Sequence, residues 1–268
     1  MIEESSIPQT ALITGASSGL GYEFAQLFAQ DYYNLILVAR NEQKLAELAD
    51  ELTQKYGISV KLVIKDLSQS SASEEVFAEV QQSAIAVSFL INNAGFATYG
   101  FFAETDLAAE LQMMQVNMVA LTHLTKLFLP EMLKRQQGKV LNVASTAAFQ
   151  PGPLMAVYYA TKAYVLSFSE ALANELQGTG VTVTALCPGP TKSGFQKRAA
   201  MEQSKLVSGQ QMMDAKTVAQ IGYQALMNHK TIAIPGLKNK LLALSIRFTP
   251  RSLVTQIVRS MQKSNQIT

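Results

Sequence analysis

Tyr158 and Lys162 stand four residues apart in Tyr158-Tyr159-Ala160-Thr161-Lys162, a spacing that puts both side chains on one face of a helix. An ammonium beside a phenol favours the phenolate, so the pair can move a proton. It needs the help: an isolated phenol with a pKa near ~10 is only about 0.1% ionised at pH 7. Taken alone, the pair is equally what two ordinary residues on a helix surface look like. The neighbouring phenol, Tyr159, fails on register, because it is not four residues before Lys162.

The elements around the pair supply a setting. Ala11-Leu12-Ile13 runs into Thr14-Gly15-Ala16-Ser17-Ser18-Gly19-Leu20-Gly21 and then a helical pattern through Gln30. This is strand, glycine turn, helix. Such a turn lets backbone N–H groups approach a pyrophosphate at the positive end of a helix. The next strand, Leu35 to Ala39, ends at Arg40. That place reads a dinucleotide's adenosine ribose: an acid would accept from the 2′-hydroxyl, whereas a guanidinium pairs with a 2′-phosphate. No acid stands there, which favours NADP over NAD; a solvated Arg opening a loop is the plain alternative.

Asn41 predicts a helix cap for a run with Leu45, Leu48 and Leu52 at helical spacing, closed by Gly57. Further strands are predicted at Val60–Ile64, Phe89–Ile91, Lys139–Val143, Val181–Leu186 and Thr231–Ile234. Helical segments of ten to twenty residues separate most of them, which argues repeated βαβ units. The expected fold is α/β: a single doubly wound, Rossmann-like parallel sheet of about seven strands with helices on both faces, residues 1–268 forming one domain with its core at about 10–235. A long helix is expected from Asp106 to Arg135, with Asn117, an indifferent helix former, inside it. Ser145 lies just past a strand, at the carboxyl edge where open α/β sheets bind ligands. Pro188-Gly189-Pro190-Thr191 makes a stiff turn after another. Residues 193–213 have no clean periodicity and read as a lid.

Composition narrows the class. A net charge of +2 is too near neutral for a general nucleic-acid binder, and 48% hydrophobic with 16% charged residues suits a packed globular chain. Cys187 is the single cysteine, so no intrachain disulfide is expected, and His123 and His229 are too few for a familiar metal site. Met1–Ser6 lacks the basic and apolar regions of a signal peptide, and no apolar run reaches membrane-span length. The expectation is a cytoplasmic protein with no metal.

Together, Thr14-Gly15-x-x-x-Gly19-x-Gly21, Asn92-Asn93-Ala94-Gly95, Asn117, Ser145, Tyr158-x-x-x-Lys162 and Pro188-Gly189-Pro190-Thr191 resemble the short-chain dehydrogenase/reductase family over about residues 10–235. The resemblance implies an NADP(H)-dependent oxidoreductase that interconverts a carbonyl and an alcohol. It implies Tyr158 as general acid/base, Lys162 lowering its pKa and bonding the nicotinamide ribose, and Ser145 donating to the substrate oxygen. Asn117 would hold a water linking Lys162 to solvent. For the cofactor it implies Gly15, Ser17, Ser18, Gly19, Leu20 and Gly21 at the pyrophosphate turn, and Asp66 and Leu67 at the adenine. Asn93, Ala94 and Gly95 would stand on the ribose side, with Pro188, Gly189 and Thr191 at the carboxamide. Ser18 occupies a place where many NADP-using relatives carry a base, so Arg40 is left to hold the 2′-phosphate nearly alone. A homodimer or homotetramer is expected by resemblance. The alternative function is a dinucleotide-binding sensor or scaffold without turnover, against which the intact Ser145, Tyr158 and Lys162 argue.

Phe96, Phe101, Phe102, Phe149, Pro151, Leu154, Met155 and the Met-rich lid suggest an apolar, adaptable pocket for a bulky hydrophobic ketone, aldehyde or secondary alcohol. Ordinary core packing is the alternative for the same residues. The tail, about residues 238–263, is basic and amphipathic. Docking on the body or a partner subunit is favoured over peripheral membrane contact.

Overall fold

The computed structural model describes residues 9–192 and 212–262. The expected lid over 193–213 falls almost wholly outside them. Strands β1 (Thr10–Thr14), β2 (Asn34–Ala39), β3 (Val60–Ile64), β4 (Val87–Asn92), β5 (Gly138–Val143) and β6 (Val181–Leu186) follow the apolar runs of the sequence. Two short strands, β7 (Thr191–Lys192) and β8 (Met213–Asp214), pair with each other. β9 (Ile232–Ala233) joins the main sheet, whose order is β3-β2-β1-β4-β5-β6-β9, all parallel.

Alternation along the strands divides the core between two faces. Ala11, Ile13, Leu35 and Leu37 pack with α1 (Gly19–Gln30), α2 (Glu42–Tyr56) and, from the other end of the chain, α7 (Ala215–Met227). Leu12, Ile36 and Val38 pack instead with α3 (Ala72–Gln82), α5 (Leu121–Lys134) and α6 (Ala156–Glu175). A strand buried on both sides has to be apolar throughout, which is why β1 and β2 read as unbroken hydrophobic runs.

Local chemistry sets the helix ends. The Asn41 carboxamide accepts from the Lys44 N–H at 2.9 Å, and Gly57 closes α2 with φ 68°. Asp106 and Asp214 cap α4 (Leu107–Met114) and α7 in the same way. The one long helix expected from Asp106 to Arg135 is interrupted. Between α4 and α5, Gln115–Ala120 winds as a π-helical turn with Asn117 in it, a distortion that sequence periodicity does not encode.

Strand order reverses between β1 and β4, so the connections leave in opposite directions and open a crevice at the carboxyl ends of those strands. A buried polar chain braces the strands that flank it. Asn92 on β4 donates to Thr125 on α5 (3.0 Å) and to Asn142 on β5 (2.9 Å); Asn142 donates to Ser169 on α6 (2.9 Å). Each link replaces water for a group that is almost fully buried.

The tail folds as α8 (Leu237–Ser245), a 3₁₀ turn (Ile246–Phe248) and α9 (Arg251–Gln262). Val254 and Val258 of α9 are buried against Met155, Tyr158 and Tyr159, so this helix docks on the body. No helix among the described residues is long and apolar enough to cross a membrane.

Asn142→Ala should orphan polar groups on both neighbours and cost about 2–4 kcal/mol, lowering the melting midpoint by roughly 5–15 °C. Calorimetry of the two proteins checks it; an unchanged midpoint would mean that the chain is only decorative.

Candidate active site

The crevice continues into a cavity of about 1000 Å³. Its first end is the glycine turn. Gly15, with φ 67°, donates its N–H to the Val38 carbonyl, and a Cβ there would come within 3.0 Å of Ala94. At Gly21 a Cβ would lie 2.3 Å from the Gly15 carbonyl oxygen. Gly21 does not line the cavity; its missing side chain lets α1 start directly beneath the turn. Gly15, Ser17, Ser18, Gly19 and Leu20 do line it. The Ser18 side chain makes no capping bond and the first turn of α1 carries no acid, so free N–H groups and the positive helix end stay available to an anion.

Thr14, absent from the expected site, organises this end. Its hydroxyl accepts from the N–H groups of Asn93 and Ala94, each at 3.0 Å. The Asn93 carboxamide in turn donates to the carbonyls of Thr14 (2.9 Å) and Gly15 (3.3 Å). The side chain expected to face a ribose is thus engaged in tying the two strand ends together. Arg40 lies at the end of β2, largely exposed, with its guanidinium 3.4 Å from Asp66. Burial pushes the Asp66 carboxyl up, but hydrogen bonds from Ser68 and the Arg40 charge outweigh it and hold the group below its ordinary range. Arg40 is not the only cation here: Lys44 and Lys65 line the same cavity, Lys65 paired with Glu75 at 2.7 Å. Both were hidden in sequence, because nothing in their local pattern says that the α2 start and the β3 end converge.

Tyr158, Ser145 and Lys162 meet at the second end. Ser145 follows β5 in extended backbone, accepts from the Ala147 N–H at 3.1 Å and donates to the Pro188 carbonyl at 3.4 Å. Tyr158 lies close enough for the Ser145 hydroxyl to favour its ionised form. Lys162 donates to the Val143 carbonyl at 2.8 Å, with its nitrogen 5.8 Å from the centre of the Tyr158 ring. Burial pushes Lys162 down to about 8. Burial also holds Tyr158 above the ordinary phenol range, against the effect of the Ser145 hydroxyl, and nearby Tyr159 adds to the rise. Desolvation thus keeps Tyr158 as a neutral acid, where the sequence predicts that Lys162 brings the phenol down. Gly95 makes the close approach possible, since a Cβ there would sit 3.0 Å from Asn117 and 3.6 Å from the Lys162 nitrogen.

Asn117 does not line the cavity. Its carboxamide accepts from the Phe96 N–H (3.1 Å) and donates to the Phe96 carbonyl (3.0 Å) and the Thr161 hydroxyl (3.1 Å). Both of its N–H groups are thereby engaged by the protein, and what it does is clamp the 93–96 loop to α6.

Asp66, Leu67, Asn93, Ala94, Gly95, Pro188, Gly189 and Thr191 all line the cavity. Of the apolar residues expected around a substrate, Phe96 and Met155 do so; Phe101 and Phe102 are exposed, and Phe149, Pro151 and Leu154 lie off the wall. The tail replaces them, with Leu242 and Ile246 before α9 and Val254, Ile257, Val258 and Met261 on it. The Gln262 carboxamide at the end of α9 donates to the Tyr159 hydroxyl at 2.5 Å, and the Tyr99 hydroxyl donates to the Gln262 carbonyl at 2.6 Å. Gly152 is fitted so closely to Tyr159 that any Cβ would fall 2.2 Å from the ring.

Residues 9–204 match the family of short chain dehydrogenases. The chain is 40% identical over 178 residues to a very-long-chain 3-oxoacyl-CoA reductase of Phaeosphaeria nodorum, covering 65% of this chain and 52% of that protein. It thus spans about half the length of that relative. Among solved structures it is similar to a short-chain dehydrogenase from Sphingobium yanoikuyae in complex with NADPH, with a TM-score of 0.81, 30% identity, and 98% of this chain and 99% of that one covered. It is also similar to a bulky-bulky ketone specific alcohol dehydrogenase from Comamonas testosteroni, with a TM-score of 0.77, 26% identity, and 98% and 97% covered.

Tyr159→Phe should leave the reacting groups in place but strip Gln262 of its partner, costing about 1–3 kcal/mol of stability. Urea unfolding and proteolysis of the tail measure this; a variant as stable and as protease-resistant as the parent would show that the latch is idle.

Proposed function

The chain belongs to the short-chain dehydrogenase/reductase family, and we propose that it is an NADPH-dependent reductase of ketones that carry a long or bulky apolar group. One observation carries the reading: a single cavity joins the Ser145, Tyr158 and Lys162 cluster to the glycine turn and its neighbouring cations. The backbone cradle left by Gly15 fits a dinucleotide pyrophosphate, and Arg40, Lys44 and Lys65 fit a 2′-phosphate. NADPH, when bound, supplies the hydride.

The chain's own residues handle the proton and the charge. Tyr158 donates its phenolic proton to the carbonyl oxygen as that oxygen gains charge. Ser145 donates a hydrogen bond to the same oxygen and stabilises the developing alkoxide. The Lys162 ammonium offsets the phenolate left behind. Apolar groups from Phe96, Met155 and the tail exclude water from the reacting end.

For the substrate, the two names among the relatives share a ketone beside a large group, as a 3-oxoacyl thioester or as a ketone bulky on both sides. The apolar tail wall favours that class over a small polar ketone. Exposed Leu107, Leu111, Val119 and Tyr164 favour a homo-oligomer in which a second copy covers them.

A panel of medium- and long-chain 3-oxoacyl thioesters, bulky ketones and short polar ketones, followed by NADPH absorbance, tests the reading; turnover of the polar ketones alone would overturn the substrate class. Tyr158→Phe should lower kcat by roughly 10²- to 10⁴-fold with NADPH binding nearly intact, since only the proton is lost. Arg40→Ala should weaken NADPH by about tenfold and barely change NADH, and equal losses for both would remove the NADP assignment. Reduction needs a charged Lys162, whose pKa burial has lowered to about 8. The charge is held below that value and lost above it, so kcat/KM should fall as pH rises through about 8. A profile flat to pH 10 contradicts this.

A further inference from the structure

We propose that the outward face of α8 and the turn after it form a docking surface for an anionic lipid bilayer. Leu237, Leu241 and Leu244 are 72%, 58% and 53% exposed and recur at helical spacing, so they form one stripe. Phe248 follows, 83% exposed. A run of large apolar side chains held in water on one short segment marks an interaction site. The segment cannot bury them by turning over, because its inner side is already fixed: Ala243 is buried, and Asn239 packs on Gly189 while donating to the Pro235 carbonyl at 2.7 Å.

Charge selects the occupant. Lys238, Lys240, Arg247 and Arg251 lie among the apolar residues, and no Asp or Glu follows Asp214 anywhere in the chain. None of the four makes an ion pair with another described residue. A second copy seated face to face would set cations against cations. An anionic membrane surface satisfies both halves of the pattern at once, apolar groups entering the acyl boundary and cations meeting headgroup phosphates.

The surface also opens onto the site. Leu242 and Ser245 line both the large cavity and a shallow groove formed with Leu237, Lys238 and Leu241. An apolar substrate dissolved in the bilayer would then reach the cavity without crossing water. That consequence rests on the reductase reading; the docking does not, and it is measured without turnover.

The test is co-sedimentation of the full chain with phosphatidylcholine vesicles, with and without phosphatidylglycerol. The expected result is binding to the phosphatidylglycerol vesicles, weakened by salt and by about fivefold for each cation removed. Two variants read the two halves: Leu241→Ser with Phe248→Ser, and Lys238→Glu with Lys240→Glu. Each should lose at least tenfold in partitioning while keeping its melting midpoint. The exposed lysine pair guards against a folding defect in the apolar variant. Absence of binding to phosphatidylglycerol vesicles, binding that both variants retain, or a lipid-free oligomer that the lysine variant dissociates would each overturn the proposal.

Discussion

The desolvation of one ammonium sets the terms for the rest of the site. Lys162 is 5% exposed, and a buried cation is costly unless it is hydrogen-bonded. Its partner is the Val143 carbonyl, the last of β5, which stands at the carboxyl edge because the strand runs parallel to its neighbours. Reaching that carbonyl requires α6 to lie close to the sheet, and Asn142 to Ser169 holds it there. It also requires open space on the other side, which Gly95 provides. A Cβ at 95 would press on the Asn117 side chain and come into contact with the ammonium. Sheet polarity, a glycine and a buried amide chain thus serve one charge.

The π turn belongs to the same requirement. Asn117 uses its carboxamide on Phe96 and Thr161, and Thr161 immediately precedes Lys162. A regular helix from 107 to 134 would advance every residue after the turn by a constant angle. The wider turn changes that advance once, which lets Asn117 face the loop while Leu121, Leu124 and Phe128 still face the core. In sequence, Asn117 could be seen as an odd residue in a helix, yet its task could not be seen, because the loop and the helix that it joins lie 21 and 44 positions away.

Legibility followed sequence distance. Asn41 as a cap, Gly57 as a left-handed stop and the apolar runs of β1 and β2 are determined by a few neighbouring residues, and the structure places them where that local chemistry predicts. Ser145, Tyr158 and Lys162 were readable because one spacing and one strand end define them. Thr14, Lys44, Lys65 and the Tyr159 to Gln262 contact were not. Each acts on a partner brought near only by the sheet order or by the return of the tail across 103 positions. The tail shows the limit of amphipathicity as a signal. Its helices carry apolar groups on more than one side, so a single apolar face predicted docking correctly for Val254 and Val258 but left the fate of Leu241 and Phe248 unread.

The charge states of Tyr158 and Lys162 support the proposed direction, reduction. Burial disfavours a charged Tyr158 and a charged Lys162 alike, so it moves the two pKa values in opposite directions. The phenol, raised, stays protonated; the ammonium, lowered only to about 8, stays mostly charged. The resting site is therefore a neutral acid beside a cation. Giving up the phenolic proton to a carbonyl converts that arrangement into an anion beside a cation, with less net charge in the same low-dielectric volume. Oxidation of an alcohol must begin from the phenolate instead, the state that burial penalises and that only Lys162 and Ser145 support. The same side chains can run either way, but the surroundings make the proton donor the form at hand near neutral pH, which is the form that reduction consumes.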